Sequence, residues 1–129
     1  MSQENVEVVQ AAYEALARSG IDAFSDYWSE DIDWRTMRDS WRGKDAGRAY
    51  LQELVDLFDD FTTEPIELLD AGAEQVVLYL RYGGRSKRGD MRVPPEYFAI
   101  VMRLENGKIA HALEYATRRE ALEAVGLSE

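Results

Sequence analysis

The sequence predicts an α+β domain in which helices near the N-terminus are followed by an antiparallel sheet. Three helical segments occupy residues 4–60, four strand-like segments follow between residues 64 and 116, and a short helix ends the pattern. Helices segregated from a run of strands are typical of this class, because an antiparallel sheet must bury one of its faces. A chain of 129 residues is long enough for one domain with a single core.

Two helical segments precede the first predicted strand. The second, residues 21–28, places Phe24 and Trp28 four residues apart on one face. Residues 30–35 then alternate, with Ile32 and Trp34 on one side, which predicts a short strand, and residues 36–43 are predicted to form a loop that carries Trp41. The first helix, residues 4–18, spaces its apolar residues at helical intervals: Val6, Val9, Tyr13 and Leu16.

The third helix begins at Lys44-Asp45 and repeats apolar residues four apart as far as Phe58. Four strands are predicted after it, over residues 64–70, 75–82, 95–104 and 108–116. Ala71-Gly72 is predicted to form a tight turn between the first two, and a longer loop, GGRSKRGDMRVP, is predicted to separate the second from the third.

The last two strands are joined by the clearest turn in the chain. Asn106-Gly107 lies between two apolar-rich runs, and a two-residue type I′ turn favours this pair because both positions need φ > 0. A short helix over residues 118–125 follows, and Gly126 with Leu127 has the form of a left-handed glycine cap. The sequence therefore predicts a hairpin that leads directly into a C-terminal helix.

Composition excludes several classes of function. The net charge of −10 disfavours nucleic acid and anionic membrane surfaces as partners. The chain has no cysteine, which excludes disulfides, a thiol nucleophile and thiolate metal ligation. The N-terminus lacks the pattern of a signal peptide, and no apolar run reaches the length of a membrane span, so a cytoplasmic location is expected.

Residues 97–127, YFAIVMRLENGKIAHALEYATRREALEAVGL, resemble the SnoaL-like polyketide cyclase and ketosteroid isomerase-like families of the nuclear transport factor 2-like superfamily. VVQxxYEALxxxG followed by WSEDIDW is similar to the opening helices of that family. The resemblance implies one domain over residues 1–129, in which a strongly bent antiparallel sheet wraps the helices into a cone, also called a cystatin-like roll. The mouth of the cone would be a pocket.

The resemblance also implies three polar residues for that pocket. Tyr13 lies seven residues before Gly20, as does the tyrosine that hydrogen-bonds the oxyanion in ketosteroid isomerases; the alternative is a core tyrosine bonded to a backbone carbonyl. Glu114 takes the place of the acid in the final strand of limonene-type epoxide hydrolases, and Arg81 matches their arginine. The alternative for Arg81 and Glu114 is a structural ion pair, because an unpaired buried charge is costly.

The sequence departs from both families at an acid. Thr36 stands where the isomerases carry their general-base aspartate, and threonine cannot abstract a proton next to a ketone at neutral pH. Asp39 would serve only if the loop were displaced. Gly83 replaces the second acid of the epoxide hydrolases. Steroid isomerase activity is therefore disfavoured.

Strand alternation separates the residues of the last strand into two faces. The face of Glu114 would carry Ala110, Ala112 and Ala116, which leave room for a ligand. The other face would be an apolar row that needs a cover, and a homodimer is expected to provide it. The single histidine, His111, belongs to this outer face unless a bulge resets the register, which favours an interface or surface residue over a general base. That row is Ile109, His111, Leu113 and Tyr115.

Aromatic residues are more numerous than a minimal core needs, which favours a pocket for an apolar or aromatic small molecule, although most could simply be core. Basic residues crowd into residues 81–92, either as an anion-binding lip or as an ordinary solvated loop. No metal-ligand spacing is present, so neither a metal nor a cofactor is expected. The residues predicted to contact a ligand are Trp28, Trp34, Thr36, Tyr50, Tyr79 and Tyr97.

Two functions are compatible with these observations. The first is a protein that binds a small organic molecule and performs cofactor-independent acid–base chemistry of the cyclase, isomerase or hydratase type, with Tyr13, Arg81 and Glu114 as its polar groups. The second is a non-catalytic binding or dimerisation module that has kept the fold and lost the acids of both families. Fold alone does not decide between them.

Overall fold

The computed structural model describes residues 2–85 and 92–127 and confirms the predicted α+β architecture. Among these residues, no helix combines the length and the apolarity that spanning a membrane requires. Some details differ from prediction: the second helix ends at Ser25, the third ends at Asp56, and a short strand lies within the predicted loop 36–43. The turn after the strand that ends at Gly72 is formed by Ala73 and Glu74, not by Ala71 and Gly72. In chain order the elements are α1 (Ser2–Ser19), α2 (Ile21–Ser25), β1 (Trp28–Arg35), β2 (Ser40–Arg42), α3 (Lys44–Asp56), β3 (Thr62–Gly72), β4 (Gln75–Arg85), β5 (Arg92–Glu105), β6 (Lys108–Tyr115) and α4 (Arg118–Ala124).

In the described part of the chain, the strands form one curved six-stranded sheet with the order β2-β1-β6-β5-β4-β3. β1 pairs with β6 in parallel, with Trp34 opposite Ala112, and the other neighbours are antiparallel. Helices α1 and α2 bury residues such as Val9 and Phe24 against one face, here called the inner face. Helix α4 packs Ala121 and Leu122 on the opposite, outer face.

A series of aromatic rings extends through the core beneath the inner face. The ring centroids of Tyr13 and Phe24 are 4.8 Å apart, and those of Phe24 and Trp28 are 5.3 Å apart. Trp41 of β2 continues the series, 5.5 Å from Trp28 and 5.4 Å from Trp34. Gly47 of α3 is buried against these indoles, so its missing side chain allows the helix to approach them closely.

The β5–β6 hairpin turns at Asn106 and Gly107, whose φ angles of 53° and 77° confirm the predicted left-handed turn. A bulge follows in β6: Arg103 lies opposite His111 and Leu104 opposite Ile109, so Ala110 is the additional residue. The bulge turns Ile109 inward, where it is fully buried in the core. The predicted placement of Ile109 in the outer row is therefore wrong, because simple alternation does not continue across the bulge.

Helix α4 is defined at both ends by its own sequence. Thr117 accepts a hydrogen bond from the Glu120 backbone N–H, and the Glu120 carboxylate accepts one from the Thr117 backbone, which together form a capping box. At the other end, Leu127 N–H donates to the Leu122 carbonyl over 2.9 Å and Gly126 has a φ of 81°. The predicted glycine cap is confirmed.

Candidate functional site

A cavity of about 90 Å³ lies between the inner face of the sheet and helices α1, α2 and α3. Its walls are mostly aliphatic and aromatic side chains, with Tyr13 from α1, Tyr50 from α3 and Tyr82 from β4 among them. Among the described residues that line it, Glu114 of β6 is the only charged one. The cavity is therefore an apolar chamber with one carboxyl group.

Glu114 is held by donors on β1 and in the turn that follows it. Trp34 Nε1 donates a hydrogen bond to Glu114 Oε2 over 2.8 Å, and the backbone N–H of Met37 also donates to the carboxyl group. The parallel pairing of β1 with β6 brings Trp34 beside Glu114. Burial raises the pKa of Glu114, and these hydrogen bonds only partly oppose the rise. A raised pKa is the direction expected of a working acid or base, whereas an ion pair would lower it.

Tyr13 presents its phenol to the same cavity. Its side chain is only 4% exposed, and its ring packs against Phe24. Within the described residues, the Tyr13 hydroxyl donates no hydrogen bond to a protein group, so the alternative of a core tyrosine bonded to a carbonyl is not observed. Burial, and secondarily the Glu114 carboxylate, raise the pKa of Tyr13, which keeps the hydroxyl protonated as a donor.

Two further tyrosines of the cavity are influenced by the same carboxylate. Burial and Glu114 raise the pKa of Tyr50, which lies beside the Thr36 hydroxyl. Burial, with Glu96 as its neighbour, raises the pKa of Tyr82 to about 12, and Glu114 contributes. Tyr82 was not among the residues predicted to contact a ligand. Alternation along β4 places Tyr82 on the face of Leu80, but both faces of β4 are apolar, so the sequence did not show which face is turned to the cavity.

Three residues predicted for the pocket lie on the outer face instead. Arg81 pairs with Glu64 and also interacts with Tyr97, so the expected pair of Arg81 with Glu114 does not form. The rings of Tyr79 and Tyr97 stack on each other, 5.9 Å apart, with Tyr97 48% exposed. Alternation along β4 explains the outward position of Tyr79 and Arg81, because the cavity residues Leu80 and Tyr82 occupy the inward positions.

Two other predicted pocket residues lie near the cavity without lining it. Trp28 is 1% exposed and packs behind Trp34 and Trp41 as part of the core. Thr36 folds back on its own turn, where its Oγ1 accepts a hydrogen bond from Asp39 N–H over 2.8 Å. Trp34 and Tyr50 do line the cavity, as predicted. Of the basic run over residues 81–92, residues 86–91 lie outside the described part of the chain.

His111 lies on the outer face, as alternation predicts. Its Nδ1 is 2.8 Å from Asp33 Oδ2 and its Nε2 is 3.2 Å from Glu105 Oε2. It does not line the cavity that contains Glu114. The structure thus brings together Tyr13, Trp34, Tyr50 and Glu114 and separates them from His111 and Arg81.

The sequence model of the SnoaL-like domain family matches residues 9–112, which is most of the chain. The chain belongs to the SnoaL-like domain family. The family match confirms the resemblance stated from residues 97–127. It ends before Glu114, so the assignment of this residue to the site of the SnoaL-like domain depends on the geometry described above. No curated protein matches the chain.

Solved structures share the fold of this SnoaL-like domain. A nuclear transport factor 2-like protein from Burkholderia thailandensis is 26% identical with a TM-score of 0.76, covering 86% of this chain and 88% of its own. A hypothetical protein with a ketosteroid isomerase-like fold from Catenulispora acidiphila, in complex with trimethylamine, has 17% identity, a TM-score of 0.74 and coverages of 94% and 93%. TerC, co-crystallised with polyporic acid, has 15% identity, a TM-score of 0.76 and coverages of 95% and 98%.

Proposed function

We propose that this SnoaL-like protein binds a small organic molecule in the cavity of Glu114 and transfers a proton to or from it without a cofactor. The observation that carries the proposal is the Glu114 carboxyl group, which faces an apolar cavity with Trp34 as its hydrogen-bond donor and has no ion-pair partner among the described residues. A carboxyl group in such surroundings titrates closer to neutrality, where proton transfer in either direction is efficient.

The polar groups of the cavity suit a simple sequence of proton transfers. Ionised Glu114 accepts a proton from a carbon or hydroxyl group of the ligand and returns it to another atom of the same ligand. The Tyr13 hydroxyl donates a hydrogen bond to a ligand oxygen on which negative charge develops. The apolar walls exclude water, which strengthens both interactions. Trp34 fixes the orientation of the Glu114 carboxyl group throughout.

The second candidate is a binding protein without turnover, and the position of Arg81 favours it. With Arg81 on the outer face, and with Thr36 and Gly83 in the places of acids, Glu114 is the single carboxylate among the described lining residues. Mechanisms that need two carboxyl groups do not fit the described lining residues. The first candidate requires Glu114 alone to act as base and then as acid.

Ligands of structural neighbours support small-molecule binding in general. TerC was co-crystallised with polyporic acid, and the Catenulispora acidiphila protein is in complex with trimethylamine. These are chemically different molecules, so the shared fold favours a small-molecule pocket without naming its contents.

The test is a thermal-shift screen with hydrophobic ketones, epoxides and aromatic polyketide-like compounds, followed by a search for turnover with any compound that stabilises the protein. It compares the wild type with Glu114→Gln and Tyr13→Phe. Tyr97→Phe and Glu64→Gln are matched controls, because these side chains lie away from the cavity. Stabilisation lost in the cavity variants and kept in the controls supports the proposal. Stabilisation unchanged in Glu114→Gln contradicts a role for the carboxyl group.

We also propose that two copies associate through the outer face. Leu113 is 38% exposed there, and Arg35 and Arg103 form no ion pair with any described residue. Asp33 and Glu105 lie on the same face beside His111. A twofold axis would place the arginines of one copy opposite the carboxylates of the other, as a self-complementary interface requires.

Light scattering at several protein concentrations tests this association. The wild type is expected to be a dimer, and Leu113→Asp a monomer with unchanged secondary structure. Leu57→Asp is the control, because Leu57 is 58% exposed and follows α3, away from the outer face. A wild-type monomer at tens of micromolar would refute the interface.

A further inference from the structure

We propose that the cavity selects a small tertiary or quaternary ammonium group, which pairs with the Glu114 carboxylate and contacts the surrounding aromatic rings. This inference rests on the proposed ligand-binding role of the cavity, but it does not require turnover. It names a class of ligand that the apolar lining alone would not indicate.

Charge is the first argument. Among the described residues, no lysine, arginine or histidine lines the cavity, and Glu114 has no ion-pair partner. Trp34 and Met37 donate to the carboxyl group, which still has lone pairs available for a ligand. An anionic ligand would be repelled by this carboxylate and by the protein's net charge of −10. A cation would supply the missing countercharge to a buried carboxylate.

Aromatic rings on two sides of the cavity provide the second argument. On one side, Trp34 and Trp41 stack with centroids 5.4 Å apart and an interplanar angle of 17°, and Tyr50 follows 6.2 Å from Trp41. On the other side, Tyr82 lies 5.9 Å from Phe61 and 5.4 Å from Phe98. Rings grouped in this way attract cations placed within about 6 Å of their centroids.

The two aromatic groups meet across the cavity. Trp41 and Tyr50 of the first group and Tyr82 of the second line the same cavity as Glu114. The carboxylate and both groups of rings therefore surround one space. That arrangement neutralises the charge of a cation from one direction and contacts its apolar substituents from others.

Hydrogen-bonding capacity decides between types of ammonium. A primary ammonium group has three N–H donors, and each must find an acceptor when it is buried. Among the described lining residues, the side-chain acceptors are Glu114, the tyrosine hydroxyls and Thr63, in walls that are otherwise apolar. A tertiary ammonium group has one N–H donor and requires one acceptor, and a quaternary ammonium group requires none. Both are also weakly hydrated, so their transfer from water loses less free energy than that of a primary amine.

The dimensions of the cavity favour a small head group. A single water needs about 10–15 Å³ on this measure, so a cavity of about 90 Å³ holds several water-sized volumes. A surface groove of about 350 Å³ shares Leu16, Ile21 and Phe61 with the cavity. The remainder of a longer molecule can extend along this groove while the ammonium group occupies the chamber.

Calorimetric titration with choline and with its neutral analogue, in which carbon replaces nitrogen, tests the inference. These probes have nearly the same shape and differ in charge. We expect choline to bind the wild type at least about tenfold more tightly than the neutral analogue, since ion pairing and cation–π contact both depend on charge. Glu114→Gln should remove this preference, and Trp41→Leu should reduce choline binding.

Asp39→Asn is the matched control, because it removes a nearby exposed negative charge that does not line the cavity. It should leave the preference for choline intact. Choline binding should strengthen as the pH rises through the pKa of Glu114, because only the carboxylate pairs with a cation. Circular dichroism of each variant verifies that it is folded, and the comparison of probes on the wild type alone remains decisive if a variant fails to fold.

The outcomes separate this inference from the proposed function. The ammonium assignment is overturned if the wild type binds choline and the neutral analogue with equal affinity. It is also overturned if Asp39→Asn abolishes the preference for choline and Glu114→Gln does not. If neutral ketones or epoxides bind in a Glu114-dependent manner and choline does not bind, the inference is wrong and the proposed function is still supported. If neither class of compound binds, both fail.

Discussion

The approach of α3 to the tryptophans leads to a prediction that opposes the usual rule for helices. A Cβ atom added at Gly47 would lie 2.6 Å from Cη2 of Trp41 and 2.7 Å from Cζ3 of Trp28. Ordinary carbon contacts are about 3.5–4.0 Å, so each indole would have to move by roughly 1 Å. Both rings are packed against other rings in the core and cannot move independently.

Gly47→Ala is therefore expected to destabilise the protein. Overpacking of a core typically lowers the free energy of unfolding by about 1–3 kcal/mol. The cost at Gly47 should lie near the upper end of this range, because two rigid rings would have to move. The higher helix propensity of alanine offsets about 1 kcal/mol of this cost relative to glycine. The net loss in the free energy of unfolding is about 2 kcal/mol, or roughly 8 °C in Tm for a domain of this size.

Thermal and urea denaturation followed by circular dichroism measures the change. Ala49→Gly supplies the control, because Ala49 is exposed in the same helix and reports the helix-propensity difference without a clash. It should cost about 1 kcal/mol. A Gly47→Ala protein as stable as the wild type, or more stable, would refute the close packing of α3 against Trp28 and Trp41.

Three further predictions concern the C-terminal half of the chain. Thr117→Ala removes the capping box of α4 and should lower the free energy of unfolding by about 1 kcal/mol in urea denaturation, whereas Thr117→Ser should restore most of it. Gly107→Ala has open space for its Cβ but a φ of 77°, so it should cost about 1–2 kcal/mol through backbone conformation alone, and no loss in Tm would contradict the left-handed turn. Glu114 has a raised pKa in the folded protein, so the folded state binds its proton more tightly than the unfolded chain. Its ionisation therefore lowers stability as the pH rises from the ordinary carboxyl pKa through the raised one. The Tm of Glu114→Gln relative to the wild type should increase across that window and stay constant below it, and a decrease would contradict the sign.

Sequence patterns were sufficient wherever a local rule determined the structure. Asn106-Gly107 requires left-handed backbone that few other pairs adopt, and Gly126 ends α4 in the same way. The positions of Tyr13 and Glu114 were predicted by resemblance, and the structure brings both to one cavity. In each case the information lies in a few neighbouring residues or in a motif.

The errors arose where distant parts of the chain decide the outcome. β4 is apolar on both faces because α4 covers the outer one, so its sequence did not reveal that Arg81 and Tyr79 point away from the cavity. The bulge at Ala110 reverses the direction of Ile109, and no local signal marks it. Strand β2 is only three residues long and owes its existence to pairing with β1.

The central position of β6 has a consequence for synthesis. This strand lies between β1 and β5, yet among the described residues it comes after the other five strands in sequence. Until β6 has been synthesised, the edges of β1 and β5 that will receive it have no partner and can pair with other nascent chains. Trp34 and Glu114 are 80 positions apart in the sequence, so the hydrogen bond between them can form only after β6 has been synthesised. Chains truncated before β6 should therefore aggregate.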